Sequence, residues 1–303
     1  MKYALEAINL SKQYGDKIAL NNFNIKIPEA SIYGLLGPNG AGKTTFIRMI
    51  NQITYPDSGE ILINGQKLAI SHISEIGYMP EERGLYKNMK VGEQAIYFAQ
   101  LKGLSHSEAK KRAKYWFEKL GIETWWDKKL SELSKGMGQK VQFVITVIHE
   151  PKILIFDEPF SGFDPLNAKL IGDEIIELKQ KGTTIIFSTH RMETVEEMCD
   201  YVALIHLSNK ILDGSVEEIK NQFKEGKFKI SLKNILENSI ENFNKKYEMF
   251  LLNTQNSITT FDLNIPSNIQ PNELLTDLMQ LGEIIQFQEA IPSMNDIFIN
   301  AVK

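Results

Sequence analysis

The segment from residue 37 to 45 constrains this chain more than any other. It reads Gly-Pro-Asn-Gly-Ala-Gly-Lys-Thr-Thr and follows an apolar stretch, residues 32–36, that is predicted to be a strand. Its glycines let the backbone turn tightly, so that successive amide N–H groups can point at anionic oxygens. A helix predicted to begin near Lys43 directs its N-terminal dipole at the same place. The pattern therefore predicts a phosphate-binding loop for a purine di- or triphosphate with Mg²⁺.

Two side chains of this loop have expected roles of their own. Lys43 is predicted to reach the β- and γ-phosphates as a mobile positive charge, and the Thr44 hydroxyl is predicted to bind the Mg²⁺ that accompanies them. The residues assigned to nucleotide binding in this loop are Gly37, Pro38, Asn39, Gly40, Ala41, Gly42, Lys43, Thr44 and Thr45.

Composition limits the classes of protein to which the chain can belong. A length of 303 residues with 43% apolar residues allows a full core and suggests roughly two domains. A net charge of -4 argues against nucleic acid as the main partner. Cys199 is the only cysteine, which excludes an internal disulfide and a cysteine zinc cluster. With no signal peptide and no apolar run of the length a membrane helix needs, we expect a cytoplasmic protein.

The residues before the phosphate-binding loop are predicted to form antiparallel strands. Apolar and polar residues alternate over 5–10 and 18–27, on either side of a turn at Tyr14-Gly15-Asp16. Tyr14 is the nearest upstream aromatic residue that could stack on an adenine ring. On the residues alone, an ordinary turn tyrosine is an equally good interpretation.

The middle of the chain alternates helices and strands. Residues 88–150 are predicted to be mainly helical, with a helix-capping pattern at Ser105-His106-Ser107-Glu108 and a further helix from Gly138 to His149. An apolar run at 153–156 then ends in Asp157 and Glu158. Such a run is typical of a strand buried on both faces, where two carboxylates are costly unless they meet a metal or a proton donor. Because parallel strands gather their ligands at their carboxyl ends, the phosphate loop can supply that metal. Further strands at 183–187 and 201–205 predict an α/β fold with a parallel sheet.

The end of the chain, from about residue 221 to 303, carries no further nucleotide motif. Its predicted elements are a strand at 227–232, a helix at 235–247, a hairpin at 250–263, a helix at 272–281 and a strand at 284–289. This β-α-β-β-α-β order is that of the ferredoxin-like α+β fold. A last helix is predicted after Pro292.

The phosphate loop alone leaves a kinase, a GTPase, a motor or a transporter ATPase open, but the series of motifs narrows the choice. In chain order the motifs are Tyr14, residues 37–45, Glu81, residues 133–137, residues 153–158, residues 161–164 and His190. Over residues 1–220 this series resembles the ATP-binding cassette (ABC) family. That resemblance implies a P-loop NTPase fold, with a RecA-like parallel sheet, an N-terminal antiparallel β subdomain and an inserted helical subdomain at about 88–150.

The resemblance implies a role for each motif residue. Tyr14 stacks on adenine, Asp157 and Glu81 join Thr44 as Mg²⁺ ligands, and the enzyme is an ATPase with ATP and Mg²⁺ as cofactors. Glu158 is similar to the family's catalytic base, and His190 is similar to the residue that bridges the γ-phosphate, the base and the neighbouring subunit. Lys43, Mg²⁺ and that neighbour meet the charge on the transferred phosphoryl group.

A second subunit is implied because the family's signature loop acts on the nucleotide of a partner. Here the signature residues are Ser134, Lys135, Gly136 and Met137, and the loop that faces the partner contains Ser161 and Asp164. The resemblance implies a head-to-tail dimer, either a homodimer or a heterodimer with another ABC ATPase. Lys135, Met137 and Glu81 stand where glycine, glutamine and glutamine are usual, which puts the hydrolysis rate and cooperativity in doubt.

Three further stretches are similar to one bacterial branch, the sodium-extrusion type of exporter ATPase with an appended C-terminal domain. They are residues 80–86, residues 135–137 and residues 291–298. This resemblance implies a peripheral subunit on the inner face of the cell membrane, docked on permease subunits in separate chains. A soluble ABC ATPase without a transport role, and a nucleotide-dependent regulator whose C-terminal domain senses a ligand, are the alternatives.

Overall fold

The computed structural model of the chain describes residues 2–82, 84–189, 191–235, 240, 243–244, 246–265 and 269–302. The chain divides into two compact units, Met1–Val216 and Glu217–Ala301. Each unit is a separate body with its own sheet and its own apolar core.

The first unit begins with the antiparallel sheet that the alternating pattern predicts. Its strands β1 and β2 pair across the turn at residues 15–16, and β4 lies on the other side of β1, so that the order is β2-β1-β4-β5. The predicted hairpin is confirmed. The strands are β1 Tyr3–Tyr14, β2 Lys17–Pro28, β4 Ser58–Ile63 and β5 Gln66–Lys67.

A six-stranded sheet in the order β10-β9-β3-β8-β7-β6 forms the centre of this unit. Five neighbouring strands run parallel, namely β9, β3, β8, β7 and β6, and β10 adds an antiparallel edge. Every residue of β3, β7 and β8 is buried, as expected of central parallel strands that are covered on both faces. The α/β class is confirmed. The strands are β3 Ile32–Leu36, β6 Ile76–Met79, β7 Ile153–Asp157, β8 Thr184–Thr189, β9 Tyr201–His206 and β10 Asn209–Ser215.

The helices of the first unit include the predicted helical segment. In α3 the Ser105 hydroxyl accepts a hydrogen bond from the Glu108 N–H, as the capping pattern predicts. The prediction that the next helix begins at Gly138 is wrong, because Ser134 caps that helix and its first residue is Lys135. The helices are α1 Lys43–Ile50, α2 Val91–Leu101, α3 His106–Lys119, α4 Lys135–Val147, α5 Pro165–Gln180 and α6 Met192–Met198, with short 3₁₀ turns at Ile70–Glu75, Glu123–Trp125 and Leu130–Glu132.

The second unit is an antiparallel sheet in the order β12-β13-β11-β14, packed on helices. This strand order is the one that the predicted ferredoxin-like pattern requires. The predicted helix at 235–247 falls largely outside the described residues. The elements are α7 Val216–Gln222, β11 Lys227–Lys233, β12 Glu248–Gln255, β13 Ile258–Asn264, α8 Pro271–Leu281, β14 Glu283–Glu289 and α9 Met294–Val302.

Among the helices in the described ranges, none combines the length and the apolar character that a bilayer crossing requires.

Candidate functional site

The phosphate-binding loop and the two adjacent carboxylates meet at one edge of the central sheet. The loop follows β3, while Asp157 ends β7 and Glu158 comes next; β8 lies between these two parallel strands. The carboxyl ends of parallel strands form one crevice, so the two sequence motifs come together there. The resulting cavity of about 200 Å³ is lined by Tyr14, Lys17, Ala19, Asn39, Gly40, Gly42, Lys43, Thr44, Thr45, Glu81, Asp157 and Glu158.

Two glycines of the loop are required by the backbone itself. Gly37 has φ 143° and Gly42 has φ 120°, a region that L side chains rarely adopt. A Cβ on Gly37 would lie 2.1 Å from the carbonyl oxygen of Ile205, and one on Gly42 would lie 2.4 Å from that of Ala19. The loop therefore approaches β2 and β9 so closely that only glycine fits at either position.

Lys43 begins α1, and its side chain turns back into the loop. Its ammonium donates hydrogen bonds to the carbonyl oxygens of Gly37 at 2.6 Å and Pro38 at 3.1 Å. Burial lowers the pKa of Lys43, while the negative charges of Glu158, Asp157 and Glu81 act in the opposite direction. The site thus holds a preplaced cation beside carboxylates and open amide donors, an arrangement suited to an anion that arrives with its own metal.

Asp157 is buried at the end of β7 and is oriented by two hydroxyl groups. Thr44 Oγ1 donates to Asp157 Oδ2 at 3.4 Å, and Ser188 Oγ on the next strand donates a short hydrogen bond to Asp157 Oδ1. Carboxylate and hydroxyl oxygens are the ligands that Mg²⁺ prefers, and Mg²⁺ usually takes one or two carboxylates together with substrate phosphates. The donor set of Thr44, Asp157 and Glu81 therefore fits Mg²⁺.

Glu158 stands where the chain turns sharply after β7. Its φ of 51° is unusual for a residue with a side chain, and its N–H donates to the carbonyl oxygen of Ser188 at 3.1 Å. Left-handed backbone at a non-glycine residue costs on the order of 1 kcal/mol and is concentrated at functional sites. The turn brings the Glu158 carboxylate to the wall of the cavity, beside Asp157.

Glu81 reaches the same cavity from the loop after β6. This loop is anchored by Gln142 of α4, whose Nε2 donates to the carbonyl oxygen of Pro80 at 2.9 Å. Glu81 therefore links the cavity to the helical segment, because any displacement of α4 displaces the loop that carries it.

Tyr14 lines the same cavity and is the last residue of β1. Its ring is about half exposed, at 48%, which leaves a face free for a flat apolar partner. Lys17 and Ala19 on β2 also line the cavity and were missed by the sequence analysis. The hairpin register pairs Tyr14 with Lys17, so the alternating pattern around the turn was the signal that could have found this lysine.

The signature residues lie apart from this cavity within the chain. Ser134 caps α4, accepting from the Met137 N–H at 3.3 Å, and residues 134–137 are not among the described residues that line the cavity. They lie instead beside the loop of residues 161–164, since a Cβ on Gly136 would be 3.4 Å from the carbonyl oxygen of Gly162. The two motifs predicted to face a partner therefore form one neighbourhood.

The loop of residues 161–164 ends in a helix cap. Asp164 Oδ1 accepts from the Asn167 N–H at 2.9 Å, and this hydrogen bond holds the pKa of Asp164 below its usual value. Gly162 has φ 87°, and the aliphatic part of the Lys135 side chain packs against it. The predicted residue His190 lies outside the described residues.

Two family profiles match the chain. The family described as "ABC transporter" matches residues 20–161, and the family described as "ATP-binding protein DrrA1-3-like, C-terminal domain" matches residues 214–302. The first match covers the phosphate loop, the signature and the Asp157-Glu158 pair, and the second covers the smaller unit.

Individual known proteins and solved structures are also similar to this chain. The uncharacterized ABC transporter ATP-binding protein YhaQ of Bacillus subtilis (strain 168) is 40% identical over 296 residues, 97% of each chain. The bacitracin transport ATP-binding protein BcrA of Enterococcus faecalis is 32% identical over 236 residues, 76% of each chain. A structure described as an ATP binding subunit of an ABC transporter superposes with a TM-score of 0.68 at 33% identity, over 73% of this chain and 93% of its own.

Proposed function

This chain belongs to the ATP-binding subunits of ABC transporters, and from this premise we propose that it binds and hydrolyses ATP with Mg²⁺ to drive an export system. The observation that carries the proposal is the single cavity that joins Tyr14, the loop of residues 37–45, Asp157 and Glu158. These residues come from separate parts of the chain, and each has the chemistry that one part of Mg-ATP requires.

The nucleotide would lie with its base at Tyr14 and its phosphates in the loop. The Tyr14 ring offers a stacking surface, and the amides at the start of α1 offer donors to the phosphates. Lys43 would exchange the carbonyl oxygens of Gly37 and Pro38 for phosphate oxygens, and Lys17 adds a second cation at the cavity wall. Both ends of the ligand are thus matched by this chain alone.

Thr44, Asp157 and Glu81 would hold Mg²⁺ together with the phosphates. When bound, the ion would neutralise part of the charge on the β- and γ-phosphoryl oxygens. The Ser188 hydroxyl keeps the Asp157 carboxylate aimed toward Thr44 for this purpose.

Glu158 is the residue that we assign to the attacking water. A carboxylate at the cavity wall can accept a hydrogen bond from water and orient it in line with the γ-phosphate, and it can take up the proton as the new P–O bond forms. Its left-handed backbone directs the side chain into the cavity rather than along the strand. Lys43 would meet the charge that develops on the phosphoryl oxygens. The bridging role of His190 stays a prediction.

We assign the signature to the nucleotide of a second subunit. Ser134, the backbone amides of residues 135–137 and the N-terminal dipole of α4 would face the γ-phosphate bound by a partner, and Asp164 would lie at the same interface. One copy holds both halves, the phosphate loop and the signature, so a homodimer needs no other chain. Hydrolysis would remove the phosphate that joins the two copies and would reopen them.

Separate permease subunits are the proposed membrane partners. Near the loop that carries Glu81, the rings of Tyr86, Tyr97 and Phe98 form an aromatic cluster, with Tyr86 to Phe98 at 6.0 Å between centroids. Tyr86 and Tyr97 are exposed, as expected of a surface that a partner covers. The subunit would therefore be peripheral, on the cytoplasmic face of the membrane. Export is the direction suggested by similar proteins that are named for linearmycin resistance and for Nod factor export.

The test is the variant Glu158→Gln, studied by light scattering with ATP and Mg²⁺ and with ADP and Mg²⁺. Removing the base while keeping the shape should stop hydrolysis and leave binding intact, so that ATP accumulates a stable dimer that the wild type forms only briefly. A dimer with ATP but not with ADP supports both the base and the signature assignments. A variant that binds ATP and stays monomeric contradicts the homodimer, and a variant that still hydrolyses ATP contradicts the role of Glu158.

A further inference from the structure

The end of β1 that carries Tyr14 is not held by strand pairing alone. The register between β1 and β2 shifts between Leu10 and Lys12 and again between Lys12 and Gln13. Such irregularities leave backbone groups outside the regular ladder and reorient the side chains that follow. Contacts outside the pairing with β2 can therefore contribute to the position of the Tyr14 ring.

Asp57, in the turn before β4, supplies such contacts. Its Oδ1 accepts from the Lys12 ammonium at 2.6 Å, and its Oδ2 accepts from the Gln13 N–H at 2.7 Å. Its own N–H donates to the carbonyl oxygen of Ser11 at 2.9 Å. These hydrogen bonds tie three successive residues of β1 to one carboxylate residue that is 44 positions from Gln13 in sequence. The Lys12 hydrogen bond keeps the pKa of Asp57 below its usual value.

Lys12 continues from this carboxylate to the ring itself. Its ammonium lies 5.3 Å from the centroid of the Tyr14 ring, within the range of a cation–π contact, and its side chain is only 15% exposed. At the ring's edge, the Tyr14 hydroxyl lies 3.4 Å from Thr54 Oγ1. Tyr14 lines the cavity, whereas Lys12 is not among the described lining residues. The ammonium therefore supports the ring from outside the cavity.

We propose that Asp57 and Lys12 are positioning residues for the base, acting through Tyr14 without touching the nucleotide. The inference rests on the proposed function, because it takes Tyr14 as the surface on which adenine stacks. A ring fixed in advance loses less conformational freedom when the base binds, so the contribution of these two residues is one of preorganisation. We therefore expect Asp57 and Lys12 to strengthen binding of the base and to leave binding of the phosphates unchanged.

The experiment separates the two parts of the ligand. Affinities of the full chain for Mg-ATP and for Mg-tripolyphosphate, which has no base, are measured by titration calorimetry for the wild type, Asp57→Asn and Lys12→Met. We expect each variant to bind ATP about 3- to 10-fold more weakly and tripolyphosphate as the wild type does. Lys12→Arg keeps the charge over the ring and should restore the ATP affinity.

A matched control is available in the same sheet. Glu60 on β4 pairs with Lys67 at 3.7 Å, and its carboxylate side chain is 42% exposed, close to the 49% of Asp57. Glu60→Gln removes a comparable surface charge, and among the described residues no hydrogen bond joins the Glu60 side chain to Lys12, Gln13 or Tyr14. It should change neither affinity, and an equal loss of ATP affinity in Glu60→Gln would overturn the proposal.

A double-mutant cycle tests whether the effect passes through the ring. Tyr14→Ala removes the stacking surface, so Asp57→Asn added to it should cost no further ATP affinity. Additive losses, an unchanged ATP affinity in both single variants, or an equal loss for tripolyphosphate each overturn the inference. The proposed function fails separately, if the wild type binds no ATP or if Tyr14→Ala binds ATP as the wild type does.

Discussion

The Ser188 hydroxyl donates a hydrogen bond to the carboxylate of Asp157 on the adjacent parallel strand, and both side chains are buried. The other carboxylate oxygen is approached by the Thr44 hydroxyl at 3.4 Å. The buried Ser188 hydroxyl on β8 therefore fixes the orientation in which the Asp157 carboxylate faces the phosphate loop.

From this relationship we expect Ser188→Ala to weaken both the binding of Mg²⁺ and the stability of the fold. Losing one buried hydrogen bond should lower the free energy of unfolding by about 1 to 2 kcal/mol. The freed carboxylate should also raise the Mg²⁺ concentration for half-maximal ATPase activity by about 10-fold, because a hydrogen bond that orients a metal-binding carboxylate strengthens its affinity for the metal. The measurement is a Mg²⁺ titration of ATPase activity beside urea unfolding.

Ser31→Ala serves as the control for Ser188→Ala. The Ser31 hydroxyl is also buried, and it donates to the carbonyl oxygen of Pro28 at 2.7 Å, away from the cavity residues. It should show a similar loss of stability with no change in the Mg²⁺ requirement. Equal Mg²⁺ curves for the two variants would show that Ser188 is structural only.

A second prediction concerns Lys17, which lines the cavity together with Lys43. Within the described residues it has no carboxylate partner. A Cβ placed on Gly40 of the phosphate loop would lie 3.9 Å from the Lys17 Nζ, so the ammonium is close to that loop. Lys17→Met should lower the affinity for ATP by about 5- to 20-fold, because a phosphate oxygen would lose a charge-assisted contact. The affinity for tripolyphosphate should fall equally, in contrast to the variants of Lys12.

Lys67→Met is the matched control for Lys17→Met, since Lys67 is an exposed lysine of the same sheet, far from the cavity lining. Nucleotide affinity measured by calorimetry should be unchanged in this control. If Lys17→Met also binds ATP as the wild type does, Lys17 is a bystander at the cavity wall.

The strands and helices that depend on the pattern of neighbouring residues could be predicted from the sequence. The alternation before residue 28, the apolar runs of β3 and β7 and the capping pattern at Ser105 all describe local choices, and the structure confirms them. The start of α4 was misplaced by three residues because Gly136 and Gly138 are poor helix formers. A side-chain cap at Ser134 outweighed that propensity.

The residues that support the site were missed because their contacts are distant in sequence. Ser188 meets Asp157 only through the pairing of β7 with β8, and Asp57 meets Gln13 across 44 positions. The residues adjacent in sequence to Ser188 and to Asp57 do not indicate the partner of either side chain. The left-handed backbone of Glu158 is likewise imposed by the sheet edge and not by its residue type.

A third prediction is a pH dependence of stability set by His149. Its Nε2 lies 3.3 Å from the carbonyl oxygen of Ile76, and burial, with Lys102 and Arg112 nearby, lowers its pKa from 6.5 to about 4. The folded state therefore binds fewer protons than the unfolded state between these values, and stability falls as the pH decreases through this range. From pH 7 to pH 5 the loss should be about 2 kcal/mol.

Urea unfolding of the wild type and of His149→Gln at several pH values between 7 and 5 measures this term. Glutamine keeps a hydrogen-bonding group near the Ile76 carbonyl but does not titrate, so the variant should lose markedly less stability on acidification. Parallel pH curves for the two proteins would assign the acid sensitivity to other groups.

The last prediction concerns the aromatic cluster of Tyr86, Tyr97 and Phe98. If permease subunits cover this surface, polar substitutions there should reduce the amount of the chain recovered with membranes without impairing the nucleotide site. We expect Tyr86→Ser together with Tyr97→Ser to lower the fraction of the chain recovered with membranes by at least about 5-fold, because interfaces concentrate their binding energy in a few aromatic residues. ATP affinity should be unchanged, since neither tyrosine lines the nucleotide cavity.

Tyr115 on α3 is the matched control for this surface. It is 51% exposed, against 54% for Tyr86, but its ring packs on Trp116 and is not part of the cluster of Tyr86, Tyr97 and Phe98. Tyr115→Ser should leave membrane recovery as in the wild type. The decisive comparison is the recovery per mole of ATP-binding-competent protein, because this ratio removes any general loss of folding. Equal ratios for all three proteins would mean that the permease docks elsewhere, and a lower ratio in the control alone would move the docking surface to α3.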